Sequence, residues 1–461
     1  WTLEAAEAIA AFEPLDPYEV LDLLDQLVSK SLAGAEETDW GMRYQFLETI
    51  RQYAQEKLAE SGEADAVRRR HLDYFVDQSR EATSDLLNLR GGDWITRLAI
   101  EAGNLRAARS WAADHDLAAA LQFSTPAPAW HKIIPDAEAL RYLRQILARA
   151  ELDLAFNGPQ APAANRRILG AALGNAGGVA FRLGLNSLAL EYEQRSVEIA
   201  DEVGDLGLMG WVRGNTAAVS GVMGDVKTAR AWHEEADDLV EQSTPWARAM
   251  NLIAWIMVSP EDEEEAWRRW EDGMVMLGQG NELWGLGMGY QLAAFANLKA
   301  DNEEEARRYA QQSLLTYEEN DDIFFANIPR SILADLDRRH GEYGRAAEMY
   351  QEIALVWRDK GNIGAVARSL ECLAFIARAQ VEVSELPISR LAYAVTLLGA
   401  AAALRRSHNS PMTAVEEPEY EAELTAIQAA LDGENFQSAW RRGQRMNLDQ
   451  ALAFALGDSN S

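Results

Sequence analysis

The sequence predicts an all-α protein in which a small N-terminal domain precedes a solenoid of repeated helical hairpins. The first observation is that small residues recur at intervals of about 40 residues between positions 177 and 353. The second is that a strand-like alternation interrupts the helical spacing before residue 75. The third is the composition, 48% hydrophobic and 25% charged, which is typical of a folded domain.

The N-terminal domain is predicted over residues 1–75. Leucine residues within 21–28 follow helical spacing. A turn-rich stretch at 37–41 leads into 42–46, which alternates like a strand, and a helix is predicted over 48–61. Helix, short hairpin and helix in this order predict a winged helix.

Residues 76–160 are predicted to form a less regular helical connector. One amphipathic helix is predicted from Trp94 to Trp111, with Glu101 in its interior. Prolines at 125–128 break the pattern, and 157–162 is the best linker candidate because it combines Asn, Gly and two Pro residues.

The repeats are predicted over residues 161–385, and residues 386–461 are predicted to form further C-terminal helical repeats or a cap. Successive turn points are spaced 40, 37, 40 and 40 residues apart: Gly184, Gly224, Glu261, Asp301 and Gly341. Five residues after each comes an alanine: Ala189, Ala229, Ala266, Ala306 and Ala346. Seven residues before each is another small residue: Gly177, Ala217, Ala254, Ala294 and Ala334. Small residues at these positions predict that the two helices of each unit approach closely.

The repeat resembles the tetratricopeptide pattern, in which the second helix carries an alanine, an aromatic residue and another small residue. His233, Trp270 and Tyr350 stand at the aromatic position, whereas Glu193 replaces it in the first unit. That unit is therefore expected to be a cap or a poor match. The period is about 40 residues instead of ~34, so each unit should be longer by about one and a half helical turns. The resemblance implies a right-handed superhelix.

The whole chain also resembles the C-terminal half of bacterial STAND signal-transduction ATPases, including the large LuxR-type regulators. The segments that carry this resemblance are 1–8, 23–32, 43–54, 68–71, 101–108, 111–112, 397–401, 404–405, 420–421 and 439–443. The resemblance implies an upstream nucleotide-binding domain that switches between ATP and ADP, a winged helix that braces it, and repeats that sense an inducer. Because the sequence contains no Gly-Lys dipeptide, it has no P-loop. We therefore expect no cofactor in this chain, ATP/ADP in a nucleotide-binding domain outside it, and contact with that domain.

Groove positions of tetratricopeptide proteins can be carried over by counting back from each turn point. They are Phe181, Trp211, Asn251, Trp255, Met288, Gln291, Phe295, Ser331, Asp335 and Arg338. Aromatic and amide side chains suit a groove for a small molecule or a peptide. The competing interpretation is that the tryptophans, seven of which lie between Trp211 and Trp284, fill the core between helices.

Several classes of function are disfavoured. The sequence has no His-Glu-x-x-His pair and no Gly-x-Ser-x-Gly elbow, and Cys372 is predicted to be structural, so we expect neither an enzyme nor a metal site. The acidic runs 261–265 and 302–305 are expected to open helices, where carboxylates favour the positive end of the helix dipole. A formal charge of −30 makes nucleic acid an unfavourable partner, and the basic run 68–70 lies beyond the candidate recognition helix.

The apolar stretch 391–404 falls short of the ~18 residues that a membrane-spanning helix needs, so no membrane association and a cytoplasmic location are expected. Because the chain begins at Trp1, we expect a piece of a longer protein. The leading hypothesis is a non-catalytic sensor arm that binds a small-molecule or protein inducer. The alternative is a protein-binding scaffold without a switch, and a third possibility is a transcription regulator whose DNA-binding domain lies outside this chain.

Overall fold

The chain folds almost entirely into α-helices. The computed structural model describes residues 1–13, 15–38, 41–90, 94–123, 134–240, 243–258, 263–381, 387–413 and 416–457, without the side chains of Ile95, Val222 and Val240. Within these residues the sheet structure is one two-stranded hairpin. The predicted all-α class is confirmed.

The chain forms two compact units. Unit 1 comprises Trp1–Leu86, Gly92–Ile134 and Gln145–Ile168, and unit 2 comprises Leu87–Gly91, Pro135–Arg144 and Leu169–Ser461. The domain limits at residues 75, 160 and 385 remain predictions.

The first third of the chain begins with two helices and the hairpin. Its elements are α1 (Leu3–Ala10), α2 (Pro17–Ser29), β1 (Ala33–Thr38), β2 (Gly41–Phe46), α3 (Glu48–Ser61), α4 (Ala64–Leu87), α5 (Trp94–Ile100), α6 (Ala102–His115), α7 (Leu117–Gln122), α8 (Asp136–Leu152) and α9 (Leu154–Asn157). Helix α2 begins with a capping box, in which Asp16 and Glu19 satisfy each other's backbone N–H groups.

The predicted order of helix, hairpin and helix is present, and Tyr44 anchors it. Its backbone N–H donates to the Trp1 carbonyl oxygen at 2.8 Å, and its side chain packs with Val20 and Leu24. The strands extend to Thr38 and Gly41, so the turn is shorter than the predicted stretch, and its residues 39 and 40 lie outside the described residues. The winged-helix assignment itself remains a prediction.

The single helix predicted from Trp94 to Trp111 is wrong, because the chain breaks into α5 and α6 at Glu101. The Glu101 carboxylate is turned toward Arg43 of β2, with Oε1 at 2.7 Å from the guanidinium. It also accepts from the side-chain amide of Asn104 at 2.6 Å. The ion pair joins residues that are distant in sequence, so a local hydrophobic pattern could not predict it. It fixes Glu101 at the joint between the two helices. The predicted break at 125–128 lies outside the described residues.

Paired antiparallel helices make up most of unit 2. The helices that follow α9 are α10 (Ala163–Arg182), α11 (Asn186–Val203), α12 (Leu206–Val222), α13 (Val226–Val240), α14 (Pro245–Ala254), α15 (Glu263–Gln279), α16 (Leu283–Lys299), α17 (Glu303–Glu319), α18 (Ile323–Arg339), α19 (Tyr343–Lys360), α20 (Ile363–Ala379), α21 (Pro387–Ser407), α22 (Glu417–Ala430), α23 (Gly433–Gln444) and α24 (Leu448–Leu456). A 3-10 turn, Trp255–Met257, continues α14. Neighbouring helices from α10 to α21 pack in chain order, which is the arrangement of a tetratricopeptide-like solenoid.

Four predicted turn points are left-handed residues at the helix joints. They have φ of 73°, 88°, 54° and 82° at Gly184, Gly224, Asp301 and Gly341. This conformation ends a helix by turning the chain so that its last carbonyl groups are satisfied. The fifth turn point, Glu261, lies outside the described residues.

The joints between successive hairpins use the same device, which the sequence analysis missed. Gly204, Asn281, Asp321 and Gly361 have φ of 69°, 49°, 50° and 80°. In the hairpins flanked by these joints the two helices are of similar length, 17 residues each in α16 and α17, and 17 and 18 residues in α18 and α19. The 40-residue period is thus two similar halves of about twenty residues.

Close helix contact explains the recurring small residues. The five repeat alanines are between 0% and 3% exposed. In α11 and α17, Ser196 and Ser313 donate to the carbonyl oxygens of Gly170 and Gly287 at 2.7 and 2.8 Å. The glycines lie on α10 and α16, so each serine bonds the first helix of its own hairpin.

A second close contact joins α21 to α23 in the C-terminal region. A Cβ atom at Gly443 would lie 2.0 Å from the Thr396 carbonyl oxygen, and one at Gly399 would lie 2.5 Å from that of Trp440. Both glycines belong to segments that carry the family resemblance. Only glycine fits at these two positions, because the two backbones touch there.

Helix α21 is longer than its apolar sequence stretch indicated. With 21 residues it is, in the described part of the chain, the one helix long and apolar enough to span a bilayer by length and composition alone. Leu391, Leu397, Leu398 and Leu404 are between 0% and 3% exposed, and the helix packs against α20 and α23. Helix α21 is a core helix of this fold.

Replacing Gly287 by alanine should destabilise unit 2. The added Cβ would lie 2.6 Å from the ring of Tyr317, which is fully buried, so α16 and α17 must move apart. We expect a loss of about 1–3 kcal/mol, measured as a lower Tm and greater hydrogen exchange in both helices.

The matched control is Gly214→Ala, in the interior of α12, where a Cβ meets nothing within 4 Å. Because alanine favours helix over glycine by about 0.5–1 kcal/mol, this variant should be neutral or more stable. Equal Tm values for the two variants would contradict the role assigned to the close contact.

Candidate functional site

The ten predicted groove residues lie on the first helices of successive hairpins. They occur on α10, α12, α14 with its 3-10 turn, α16 and α18. None of them is exposed: Asn251, Trp255 and Gln291 are buried, and the other seven are partly buried. Eight of them fall into three small groups, on α14, α16 and α18, and Phe181 and Trp211 lie apart from these groups.

The first group surrounds His233 of α13, and we call it the His233 cluster: His233, Asp237, Asn251, Trp255 and Arg269. The Asn251 side chain bonds the His233 ring at 2.8 Å through Oδ1 and donates to Asp237 at 3.2 Å through Nδ2. Arg269 donates to Asp237 at 2.6 Å and lies over the Trp255 ring, 4.6 Å from its centroid. The cluster joins α13, α14 and α15.

Polarity in this cluster is graded from inside to outside. His233 and Trp255 are 2% and 8% exposed, whereas the side chains of Asp237 and Arg269 are 29% and 25% exposed. Burial lowers the pKa of His233, against the opposing effect of Asn251 and Asp237, so its ring is neutral at pH 7. The buried Nε1–H of Trp255 has no acceptor within the described residues. The cluster therefore offers a spare donor beside a partly exposed ion pair.

The second group lies on α16. Gln291 accepts from the hydroxyl of Tyr317 at 3.5 Å, and its amide nitrogen lies 3.7 Å from the sulfur of Met288. Phe295 packs against a separate apolar cluster that includes Ile332. This group is mostly helix-packing contact.

The third group is on α18. Arg338 donates to Asp335 and also to Glu419 of α22. Burial alone would raise the pKa of Asp335, but the charge and hydrogen bond of Arg338 lower it below its usual value. Ser331 donates to the backbone carbonyl of Ile328 at 2.7 Å. The chain's own α22 thus occupies the neighbourhood of Arg338.

Several tryptophans support the competing, core-filling interpretation. A Cβ at Gly174 would lie 3.0 Å from the ring of Trp211, which shows that this ring packs onto α10. Trp246, Trp270 and Trp284 are 7%, 7% and 8% exposed within the main core cluster. Phe181 is partly buried near the end of α10.

The predicted groove positions are not brought together in one enclosed cavity by the described contacts. A cavity of about 260 Å³ within unit 2 is lined instead by residues that include Arg141, Leu183, Ile363 and His408. None of the ten predicted residues lines it.

Glu193 is the buried group whose importance the sequence analysis underestimated. Its side chain is fully buried in α11, and a Cβ at Gly177 would lie 2.5 Å from its Oε1. Both carboxyl oxygens are buried without a hydrogen-bond partner in the described residues, and burial raises the pKa of this carboxyl well above its usual value. The available signal was the glycine at position 177, where three of the four later units have an alanine with a buried side chain.

The remaining candidate chemistry is structural. Within the described residues, no group of three or more potential metal ligands occurs. Cys372 is buried in α20, and burial raises the pKa of its thiol to about 11. In the acidic helix starts, Glu265 bonds Arg268 and Arg269, and Glu305 bonds Arg308.

The basic run 68–70 is largely used within unit 1. Arg70 donates to the carbonyl oxygens of Ala8, Ile9 and Ala11 at the end of α1. Arg69 pairs with Asp116 at 2.6 Å. These contacts fix α4 against its neighbours in unit 1.

Comparison with known proteins gives partial matches. No protein-family model matches the chain. A "Putative HTH-type transcriptional regulator" of Mycobacterium tuberculosis is 40% identical over 151 residues, which are 32% of this chain and 16% of that protein. An uncharacterized M. tuberculosis protein is 41% identical over 70 residues, 15% of this chain and 18% of that protein. The chain thus spans a small part of the curated relatives that it matches.

Two solved structures are similar in fold. A Rap protein complexed with competence and sporulation factor has a TM-score of 0.48 and 13% identity, covering 81% of this chain and 99% of that one. A STAND protein with a tetratricopeptide repeat sensor from Pyrococcus horikoshii has a TM-score of 0.41 and 12% identity, covering 93% and 60%. Both scores are below 0.5, so the fold assignment rests on the hairpins described above. The hairpins define a tetratricopeptide-like helical-repeat protein. A stretch of 151 residues of this chain is similar in sequence to a transcriptional regulator.

Glu193→Gln should stabilise the protein more at pH 8 than at pH 5. Between the ordinary pKa of glutamate and the raised folded pKa, the unfolded chain has lost a proton that the folded chain retains. This group therefore reduces stability as pH rises, by up to about 1.4 kcal/mol per pH unit, and glutamine removes that slope. The measurement is the Tm difference between variant and wild type across this range.

The control for that comparison is Glu191→Gln, an exposed carboxylate on the same helix. Its Tm difference from wild type should stay constant with pH. A constant difference for Glu193→Gln as well would show that the buried carboxyl has no raised pKa.

Proposed function

We propose that this chain is the non-catalytic sensor arm of a STAND-type regulator, which binds an inducer in its repeats and controls an upstream ATP/ADP switch. The observation that carries the proposal is the His233 cluster. Two of the predicted groove residues, Asn251 and Trp255, meet there beside a partly exposed Asp237–Arg269 pair. A flat ring, a spare N–H donor and an ion pair suit a ligand that has both an apolar and an acceptor group.

The partial sequence similarity to a transcriptional regulator supports a regulatory role. In this proposal, the nucleotide-binding domain lies outside the chain, the segment 1–75 braces it as a winged helix, and the protein works in the cytoplasm. The ligand acts by binding one state of the switch more tightly than the other. The engagement of Arg69 and Arg70 within unit 1 favours a bracing role over DNA binding.

A second candidate is a protein-binding scaffold without a switch. It is favoured by the spread of the ten groove positions over α10 to α18 in separate small groups, since an extended peptide can contact separate groups that a small molecule cannot span. The ligand class therefore distinguishes the two candidates.

Trp255→Phe tests the sensor proposal, because phenylalanine keeps an aromatic ring and lacks the indole N–H; the smaller size of its ring is matched by the control below. A library of sugars, nucleotides and short peptides is screened by thermal shift and tryptophan fluorescence on the full chain. We expect a ligand that binds wild type saturably and binds Trp255→Phe up to about tenfold more weakly, the value of one hydrogen bond.

Trp284→Phe is the matched control, since Trp284 is equally buried with an Nε1 that lacks an acceptor in the described residues, but it is not a predicted groove position. It should keep full affinity. A ligand that binds Trp255→Phe as well as wild type would refute the proposed site. Binding of peptides alone would favour the scaffold.

A further inference from the structure

Helix α22, in the C-terminal region, is held in place by both carboxylates and apolar side chains. Its inward face consists of Glu416 at the N-cap followed by Glu419, Tyr420, Glu423, Leu424 and Ile427, spaced as one face of a helix. Ile427 is the one fully buried residue of the helix, and Tyr420 and Leu424 pack partly buried against the same core cluster. The apolar attachment of α22 is therefore limited to one fully buried and two partly buried side chains.

The partners of these carboxylates form a row of arginines on other helices. Glu419 accepts from Arg338 of α18 and from Arg368 of α20. Glu423 accepts from Arg378 of α20 at 2.6 and 2.7 Å. We call Arg338, Arg368 and Arg378 the arginine row.

The arginine row has its own support. Arg338 and Arg368 both lie beside the Phe375 ring, at 5.7 and 5.6 Å from its centroid. Their side chains are 11% and 24% exposed with α22 in place. Guanidinium groups fixed in this way are arranged to bind carboxylates. The arginine row is thus a basic site in a chain whose formal charge is −30.

We propose that the arginine row is a docking site for an acidic amphipathic helix of a partner protein, and that α22 is an internal ligand that competes for it. The matching partner helix carries carboxylates four residues apart and an apolar residue four residues further on, as Glu419, Glu423 and Ile427 do. The row lies on α18 and α20, the first helices of successive hairpins, and it includes the predicted groove residue Arg338. This site is separate from the His233 cluster, so it does not depend on an inducer binding there.

The competition follows from the kind of contact that holds α22. Partly exposed ion pairs contribute modestly to stability and are weakened by salt, unlike the packing of α21 against α23. A partner of the same charge pattern can then replace α22 without unfolding the rest of unit 2. The apparent affinity of such a partner is reduced by the fraction of molecules in which α22 is docked.

Glu419→Gln/Glu423→Gln in the full chain tests the proposal, because it removes both carboxylates at nearly constant shape. The probe is a fluorescein-labelled peptide with the sequence of residues 416–430, followed by fluorescence anisotropy. We expect it to bind the double variant at least about tenfold more tightly than wild type, and to lose affinity as salt rises. Hydrogen exchange should increase in α22 and not in α23.

Two controls make the result decisive. Glu417→Gln/Glu421→Gln removes the same charge from the exposed side of the same helix and should behave as wild type. Adding Arg368→Gln to the double variant should abolish peptide binding, while circular dichroism confirms folding. The proposal is overturned if the released chain does not bind the peptide, if binding survives Arg368→Gln, or if α22 stays as protected as in wild type. A concentration-dependent dimer of the double variant that excludes the peptide would also overturn it, by making a second copy the occupant.

Discussion

The structure of unit 2 depends on close approach between the two helices of each hairpin. Helix backbones come within touching distance only where a side chain is absent or ends at Cβ, and the repeat alanines and glycines provide such positions. The serine-to-carbonyl bonds of Ser196 and Ser313 add direction to this contact, because a hydroxyl can reach a backbone oxygen only at one axial register. The large aromatic residues then fill the wider spaces that this spacing leaves, as Tyr317 and Trp270 do.

The features of the fold that could be predicted from the sequence are those set by local constraints. The turn points at Gly184, Gly224 and Gly341 were predictable because glycine is favoured in the left-handed conformation. The intervening joints were missed because Gly204 and Gly361 fall between the turn points of the 40-residue period, and because residues such as Asn281 and Asp321 also occur elsewhere. The break at Glu101 depends on Arg43, which is distant in sequence, so no local pattern contains it. For the candidate site, counting along the repeats selected Asn251 and Trp255, but their meeting with His233 and Arg269 depends on side-chain packing between three helices, which no local pattern contains.

The aromatic position of the repeat accommodates very different chemistry. Glu193, His233, Trp270, Ala310 and Tyr350 occupy it in successive units, and each is buried. Burial raises the pKa of a carboxyl at such a position and lowers that of an imidazole, because it disfavours the charged form of either. Glu371 and Arg405 meet the same requirement differently, as a buried pair with bonds of 2.8 and 2.9 Å between α20 and α21. Neutral or paired polar groups can therefore vary along the array while the backbone geometry stays constant.

The left-handed joints described above recur at intervals of about twenty residues, and this has a consequence for how such a chain can change length. The four helix pairs whose joints lie within the described residues are each closed by their own left-handed residue, and each contacts mainly its neighbours, so the geometry of one unit carries no information about how many units precede it. Recombination that inserts or deletes one forty-residue segment between equivalent joints leaves every other joint in phase. The number of units is thus free to vary by gene duplication, whereas an indel of a few residues shifts every later small residue off its packing face.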